Sequence, residues 1–554
     1  MPLYQRKYTW ESKKQIKQLW VDLNEFNKIQ KTSNNKTDYF LGSLIIKKSN
    51  NLNSRLILVD GQQRITTILL LIAALIDCSN MQREIDEFVK LKDLIKSNDS
   101  KFKLERINDN DIIKKILENK SSILTEEEKK SNYYKNFEFF INEIKKINNE
   151  NDEFIQVFYR NVLEKIKVAV INLNESEDEY SIFESINSKG KSLTPADLIK
   201  NYISIKIEKE VDVLKNFDND FIGSFDKYSD PEKIIVDFYR QIVAIYDGNL
   251  YPANGKTLYF KFKDMIEEKY NESNNIIDFI KYLEVDRVIW DYVNLNEWKS
   301  KWYPLFRANK YNFYAIIHVV LKSNGDINNN QFKVNNQKNI DWALDFLTRL
   351  SVARTLCSFG RVEGNRTYAS IAHKLAISIE ETKNFVVSFE KEVINELEKS
   401  NKNYRMPKWE EISDIEAKRD LYSNKSGYKH ILITIEEYLN KNKKIDDKKI
   451  SVEHIFPQNP IEWKKAIKEH ITTKYDSWDK MHEWLHTLGN LSIIDDVDNA
   501  ALSNKPLSEK QKILEERSYL KINKHIYEHS EWTIEAIKER ATKILEYIKE
   551  IWFN

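Results

Sequence analysis

The stretch SVEHIFPQNP, residues 451–460, sets Glu453 directly before His454 and follows them with Ile455, Phe456 and Pro457. An acid beside a histidine is a pair that metal-dependent phosphodiester hydrolysis can use. The histidine serves as general base for water, and the carboxylate helps hold a hard cation at the scissile phosphate. Mg²⁺ is usually held by one or two protein groups and keeps its waters, so few ligands suffice. An EH dipeptide alone is ordinarily an exposed pair, so the reading turns on what surrounds it.

Downstream runs LHTLGNLSIIDDVDNAALSNKPLSEK, residues 485–510. LGNLSII reads as a turn and a strand, with Asn490 at its start. DNAALSNKPLSEKQKIL reads as one helix, with Asn499 in its first turn. A histidine at one strand end, an Asn at the start of the next strand and an Asn on the following helix predict a ββα unit. His470, His482 and His486 read as ordinary surface or core histidines.

The chain of 554 residues exceeds one ordinary core and predicts several domains. Lys and Arg number 87 against 86 Asp and Glu, leaving +1, which excludes a uniformly basic nucleic-acid coat but not a local groove. Gly 11 and Pro 9 are roughly a third of their average share, which predicts a helix-rich fold. Cys78 and Cys357 are the only cysteines, too few for a disulfide framework or a four-Cys zinc site. We read a bacterial cytoplasmic protein with no membrane partner: MPLYQRKYTW (1–10) has no signal-peptide pattern, and ITTILLLIAALI (65–76) is too short to span a bilayer.

LILVDGQQRITTILLL, residues 56–71, is the second informative stretch. A strand ends at Asp60, Gly61 permits a tight turn, and Gln62, Gln63 and Arg64 open a helix. Helix-start N–H groups, the helix dipole and an arginine suit a phosphate. The bland alternative is a strand–turn–helix with exposed polar residues. Strands are expected over 40–48, 55–59 and 168–173. A helix is expected over about 179–187, and another opens at Thr194-Pro195. The GK[ST] triplets at 190–192 and 255–257 lack the P-loop glycine and read as turns. Residues 206–440 show helical periodicity without a strand series. Their interleaved aromatic and basic residues suit DNA contacts but read mostly as core. KNKKIDDKKI (441–450) reads as a linker, and TIEAIKERATKILEYIKEIW (533–552) as an amphipathic helix.

EHIFPQ, LGNLSII, Asn499, Asn504 and Lys510 together resemble the HNH endonuclease superfamily, in the form attached to DGQQR proteins. The nine-residue step from Asn490 to Asn499 is the spacing that superfamily shows. By that resemblance His454 is the general base, Glu453 and Asn499 bind a divalent metal (Mg²⁺ or Mn²⁺), Asn490 orients the histidine's backbone surroundings, and Asn504 and Lys510 support them. The sequence departs from the commonest pattern in having Glu where Asp is usual, and in a long insert, 461–486, before Asn490. It also lacks zinc-binding cysteine pairs, so the C-terminal helix is expected to brace the motif.

MPLYQRKYTW, DGQQR and FESINSKGKSLTPADLIKNYI (183–203) resemble the DGQQR family, whose N-terminal domain is similar to ParB and sulfiredoxin folds. That implies NTP binding (GTP, ATP or another) by Asp60, Gly61, Gln62, Gln63 and Arg64, with Tyr4, Gln5 and Arg6 and with Asn187, Lys189 and Gly190. Asp197 matches too, although helix capping also explains it. Family members carry a further segment before YQR, so a misassigned start or a trimmed chain is expected.

The expected architecture is α+β and multidomain. It has a ParB/sulfiredoxin-like α/β domain at 1–205, a helical middle domain at 206–440, and a C-terminal ββα-metal (HNH) domain with helical decoration at 441–554. The resemblance to GmrSD-type type IV restriction enzymes and SspE-like phage-defence nucleases implies a modification-dependent DNA endonuclease. Its expected partners are modified phage DNA and a nucleotide, with a homodimer for double-strand cutting. The alternative is a non-nucleolytic NTPase, DNA-binding regulator or interaction protein with a degenerate HNH domain.

Overall fold

The computed structural model describes residues 8–32, 37–48, 56–79, 86–95, 110–147, 153–174, 194–207, 210–269, 273–296, 298–359, 362–400, 404–441, 443–461, 463, 478–517 and 519–554. The expected helix at 179–187 lies outside them. The architecture is α+β, mostly helical, with small sheets. Among the described residues no helix is long and apolar enough to cross a membrane. Contacts divide the chain into two compact units, Met1–Lys227 and Tyr228–Asn554.

In the first unit, α1 (Lys17–Thr32) precedes β1 (Tyr39–Lys48) and β2 (Leu56–Asp60). α2 (Gln62–Asp77) and α3 (Asn132–Lys145) follow, then β3 (Ile166–Leu173) and α4 (Pro195–Lys206). The sheet order is β2–β1–β3, antiparallel on one side and parallel on the other. α2 carries a continuous run of buried residues, Leu69 to Leu75, and is the centre of this core. Each fully buried Leu or Ile there contributes about 1.5–3 kcal/mol, which outweighs the weak polarity of the helix start. Tyr8 staples the incoming chain onto α2 and α3. Its hydroxyl meets Thr67 Oγ1 at 2.6 Å and accepts from Asn136 Nδ2 at 3.1 Å. α4 opens on a reciprocal cap: Asp197 accepts from Thr194 N and Thr194 Oγ1 accepts from Asp197 N.

The second unit begins with helices: α5 (Pro231–Asp247), α6 (Ser273–Leu295) and α7 (Lys310–Ser323). An ionic cluster around the buried Asp286 ties α6 to α7, with Asp286 bonded to His318 at 2.9 Å and to Lys322 at 2.7 Å. Burial alone would raise the Asp286 carboxyl, but His318 and Lys322 hold it below its ordinary range. β4 (Gly325–Asn328) and β5 (Gln331–Val334) then form a hairpin where no strands were expected. Its two-residue turn, Asn329-Asn330, has both φ angles positive, a conformation asparagine tolerates. α8 (Gln337–Leu356), α9 (Val362–Thr382) and α10 (Lys425–Leu439) lead to the C-terminal elements.

β6 (Ile450–His454) and β7 (Leu491–Asp495) pair antiparallel, with His454 opposite Leu491 and Glu453 opposite Ser492. The single helix expected after β7 is two, α11 (Asp496–Leu502) and α12 (Leu507–Arg517). The break falls at Ser503, whose φ is +37°, and Pro506 cannot sit inside a helix. The expected linker is also anchored: Ile445 N donates to Glu437, and Ile450 is already strand core. α13 (Ile534–Ile548) is capped by Thr533 and packs its apolar stripe beneath the β6–β7 pair. Its buried Arg540 donates to the carbonyls of Gly489 and Leu491 at 2.8 and 2.9 Å, and to Ser492 Oγ at 2.8 Å.

Gly489 is required by this contact. A Cβ there would sit 1.8 Å from the Ile537 carbonyl oxygen, which is fixed in α13. Gly489→Ala should therefore lower stability by at least about 3 kcal/mol. Its urea midpoint should fall well below that of Gly223→Ala, whose Cβ would meet only an ordinary contact, 3.7 Å from the Asp218 carbonyl oxygen.

Candidate nuclease centre

β6 ends at the two residues that open the motif. Glu453 is buried, and its Oε1 accepts from Lys510 Nζ at 2.6 Å. The same ammonium donates to the His454 carbonyl at 2.7 Å, and Lys510 is completely buried. Burial pushes the Glu453 carboxyl up and the Lys510 ammonium down, and their mutual attraction opposes both shifts. Lys510 therefore sits against the site's carboxylate from α12, as the break at Ser503 allows.

His454 is 6% exposed, and its Nε2 lies 3.0 Å from His486 Nδ1. Burial, then His486 and Lys510, lower its pKa to about 4. At neutral pH the ring is uncharged and able to accept a proton. The Tyr422 ring stacks on His486 at 5.4 Å and 14°, and reaches His454 at 4.5 Å.

Asn490 lies between these parts and is fully buried. Its Oδ1 accepts from Phe456 N at 2.7 Å and Trp532 Nε1 at 2.9 Å. Its Nδ2 donates to the carbonyls of Phe456 at 3.0 Å and Leu485 at 2.8 Å. It therefore fixes the backbone two residues beyond His454, rather than presenting its amide to a ligand.

Asn499 is on α11, half-buried, and α11 packs against β6 and β7. Asn504 lies in the turn between α11 and α12. No group of three or more His, Cys, Asp or Glu close enough to hold a metal occurs among the described residues. One carboxylate and one amide oxygen still suit a cation that keeps most of its waters. Lys510 already occupies Glu453 Oε1, so a cation would meet this carboxylate through its other oxygen.

In the first unit the residues expected to bind phosphate stand where strand meets helix. Gly61 has φ +96° and precedes α2, a conformation that favours glycine. Arg64 lies across β1, donating to the Ser43 carbonyl at 2.8 Å, with Asp60 4.0 Å away. Gly42, at φ +124°, makes room for it: a Cβ would meet the guanidinium at 3.1 Å. Gln63 Oε1 accepts from Thr9 N at 3.0 Å. Gln62 Oε1 is buried without a hydrogen-bond partner among the described residues. Asp60, Gly61, Gln62, Gln63 and Arg64 are thus brought together. Tyr4, Gln5, Arg6, Asn187, Lys189 and Gly190 lie outside the described residues.

Both ends of the chain match known domains. Residues 1–204 match the GmrSD restriction endonuclease N-terminal domain, and residues 406–547 match the C-terminal domain of the GmrSD restriction endonucleases. The chain belongs to the GmrSD restriction endonuclease family. The GmrSD C-terminal match spans β6, β7, α11, α12 and nearly all of α13, so it contains the whole histidine site. These domains make it a restriction-type nuclease acting on DNA. No curated protein matches the chain.

Three residues of the centre escaped sequence reasoning. His486 and Tyr422 carried no signal, because each meets His454 only through the fold. Arg540 carried one: it shares the stripe of Ile537, Ala541 and Ile544 at helical spacing, where a charge is out of place.

Lys510→Met should destabilise the chain by about 3–5 kcal/mol, because it strands the Glu453 carboxylate in a buried site. The double variant with Glu453→Gln should recover part of that loss. Urea denaturation checks both, and a Lys510→Met midpoint equal to wild type would contradict the pairing.

Proposed function

We propose that the chain is a modification-dependent DNA endonuclease or nickase acting on invading phage DNA. The C-terminal unit would cut a phosphodiester as an HNH-type ββα-metal site. The N-terminal unit, ParB/sulfiredoxin-like, would bind and hydrolyse an NTP, GTP or ATP among the candidates, to license the cut. The observation that carries the reading is the placement of the buried His454 beside Glu453 at the end of β6, with the following backbone pinned by Asn490.

In this reading His454 accepts a proton from water. Lys510 holds Glu453 in place through a charged hydrogen bond, and Asn490 holds the loop after His454 in place. Glu453 and Asn499 would hold the divalent cation, Mg²⁺ or Mn²⁺. When bound, it supplies positive charge to the scissile phosphate and the departing oxygen. One such site per chain makes nicking the simple outcome, and a homodimer would be needed to cut both strands. For the nucleotide, the support is the N-terminus of α2 with Arg64 beside it and the orphan Gln62 Oε1.

The test is cleavage of modified phage DNA and unmodified plasmid with Mg²⁺ or Mn²⁺, with and without GTP or ATP. Wild type should cut, and His454→Ala should lose at least about a hundredfold in rate. Arg64→Ala should lose any stimulation by nucleotide while retaining basal cutting. Equal cutting by His454→Ala would contradict the site. A wild type inert on every DNA would favour the regulator reading instead.

A further inference from the structure

We infer that His486 is a positioning residue of the nuclease centre: its Nδ1 accepts a hydrogen bond from His454 Nε2–H and so makes His454 Nδ1 the base. The inference rests on the nuclease reading above and adds a residue to it.

The argument starts from the 3.0 Å separation of the two ring nitrogens. A neutral imidazole has one N–H and one lone pair. If His486 donated, it would consume the lone pair on His454 Nε2. The His454 proton would then sit on Nδ1, and no ring atom could accept another. With His454 as donor, Nδ1 keeps its lone pair. Only this arrangement is compatible with a base at His454. His486 then carries its own proton on Nε2.

The placement of His486 is built rather than incidental. Its carbonyl accepts from Leu421 N at 3.0 Å, and the Leu485 carbonyl just before it accepts from Asn490 at 2.8 Å. Tyr422 stacks on its ring at 14°, and Lys425 Nζ lies 5.3 Å from the Tyr422 ring centroid. The two imidazoles are tilted by 68° with centroids 5.1 Å apart, so they meet through nitrogens and not face to face. Apolar packing alone has no reason to bring nitrogen to nitrogen.

The step balances without redox change. Water gives one proton to His454 Nδ1 while its oxygen forms the new P–O bond. The P–O bond to the departing sugar oxygen breaks, and that oxygen takes a proton from solvent. The His454 imidazolium keeps its Nε2–H bond to His486 throughout, as an orienting partner requires.

The test compares His486→Asn, whose side chain offers an oxygen near the Nδ1 position, with His486→Leu. Single-turnover cleavage should fall about tenfold to a hundredfold in His486→Leu, with KM for DNA unchanged, and recover most of that in His486→Asn. Independently of activity, ¹⁵N-histidine NMR of the full chain should show His454 protonated at Nε2, with that tautomer lost in His486→Leu. A His454 found protonated at Nδ1, or a His486→Leu variant cutting at the wild-type rate, would overturn the inference. Equal cutting by wild type and His454→Ala would instead sink the nuclease reading itself.

Discussion

Everything at the C-terminal centre depends on the carboxamide of Asn490. It accepts from Phe456 N and Trp532 Nε1, and donates to the carbonyls of Phe456 and Leu485. Phe456 lies two residues after His454, and Leu485 directly precedes His486. One buried amide therefore sets the backbone next to both histidines. Each bond is worth about 1 kcal/mol net, but stranding its buried partners would cost about 1–3 kcal/mol each. The constraint is therefore much stiffer than the net bond energies suggest.

A two-stranded sheet is marginal alone in water, and β6–β7 is no exception. Its support comes from below. Arg540 of α13 holds the chain around Gly489 and Leu491, Asn523 bonds Ser492 and Ile493, and Gly489 lets α13 approach. Lys510 brings α12 onto the end of β6 through both Glu453 and the His454 carbonyl. The His454 imidazole thus stands on rigid strand and helix rather than on a free loop, which is what the proposed base would need to keep one geometry.

Much of this was legible in the sequence, and the illegible part has a physical pattern. Short β-branched runs marked β1, β2 and β3 because strand chemistry is local. EH and LGN marked the ends of β6 and β7 for the same reason. The hairpin at 325–334 hid in a helical stretch because its turn is Asn-Asn without glycine. The helix after β7 read as one because Ser503 gives no warning of a positive φ, although Pro506 did. His486 was passed over as an ordinary histidine, since its partner lies 32 residues away along the chain. Lys510 could be placed in the motif but not paired: that Glu453 is its partner follows only from the packing of α12.

The most direct measurement is single-turnover DNA cleavage by Asn490→Asp, beside its melting temperature. The substitution is nearly isosteric, but it removes the donors to Phe456 and Leu485 and places a carboxylate among carbonyls. The account predicts that cleavage is lost and the melting temperature falls by several degrees. A variant that cuts DNA at the wild-type rate would contradict the central claim that this one amide holds the histidine centre together.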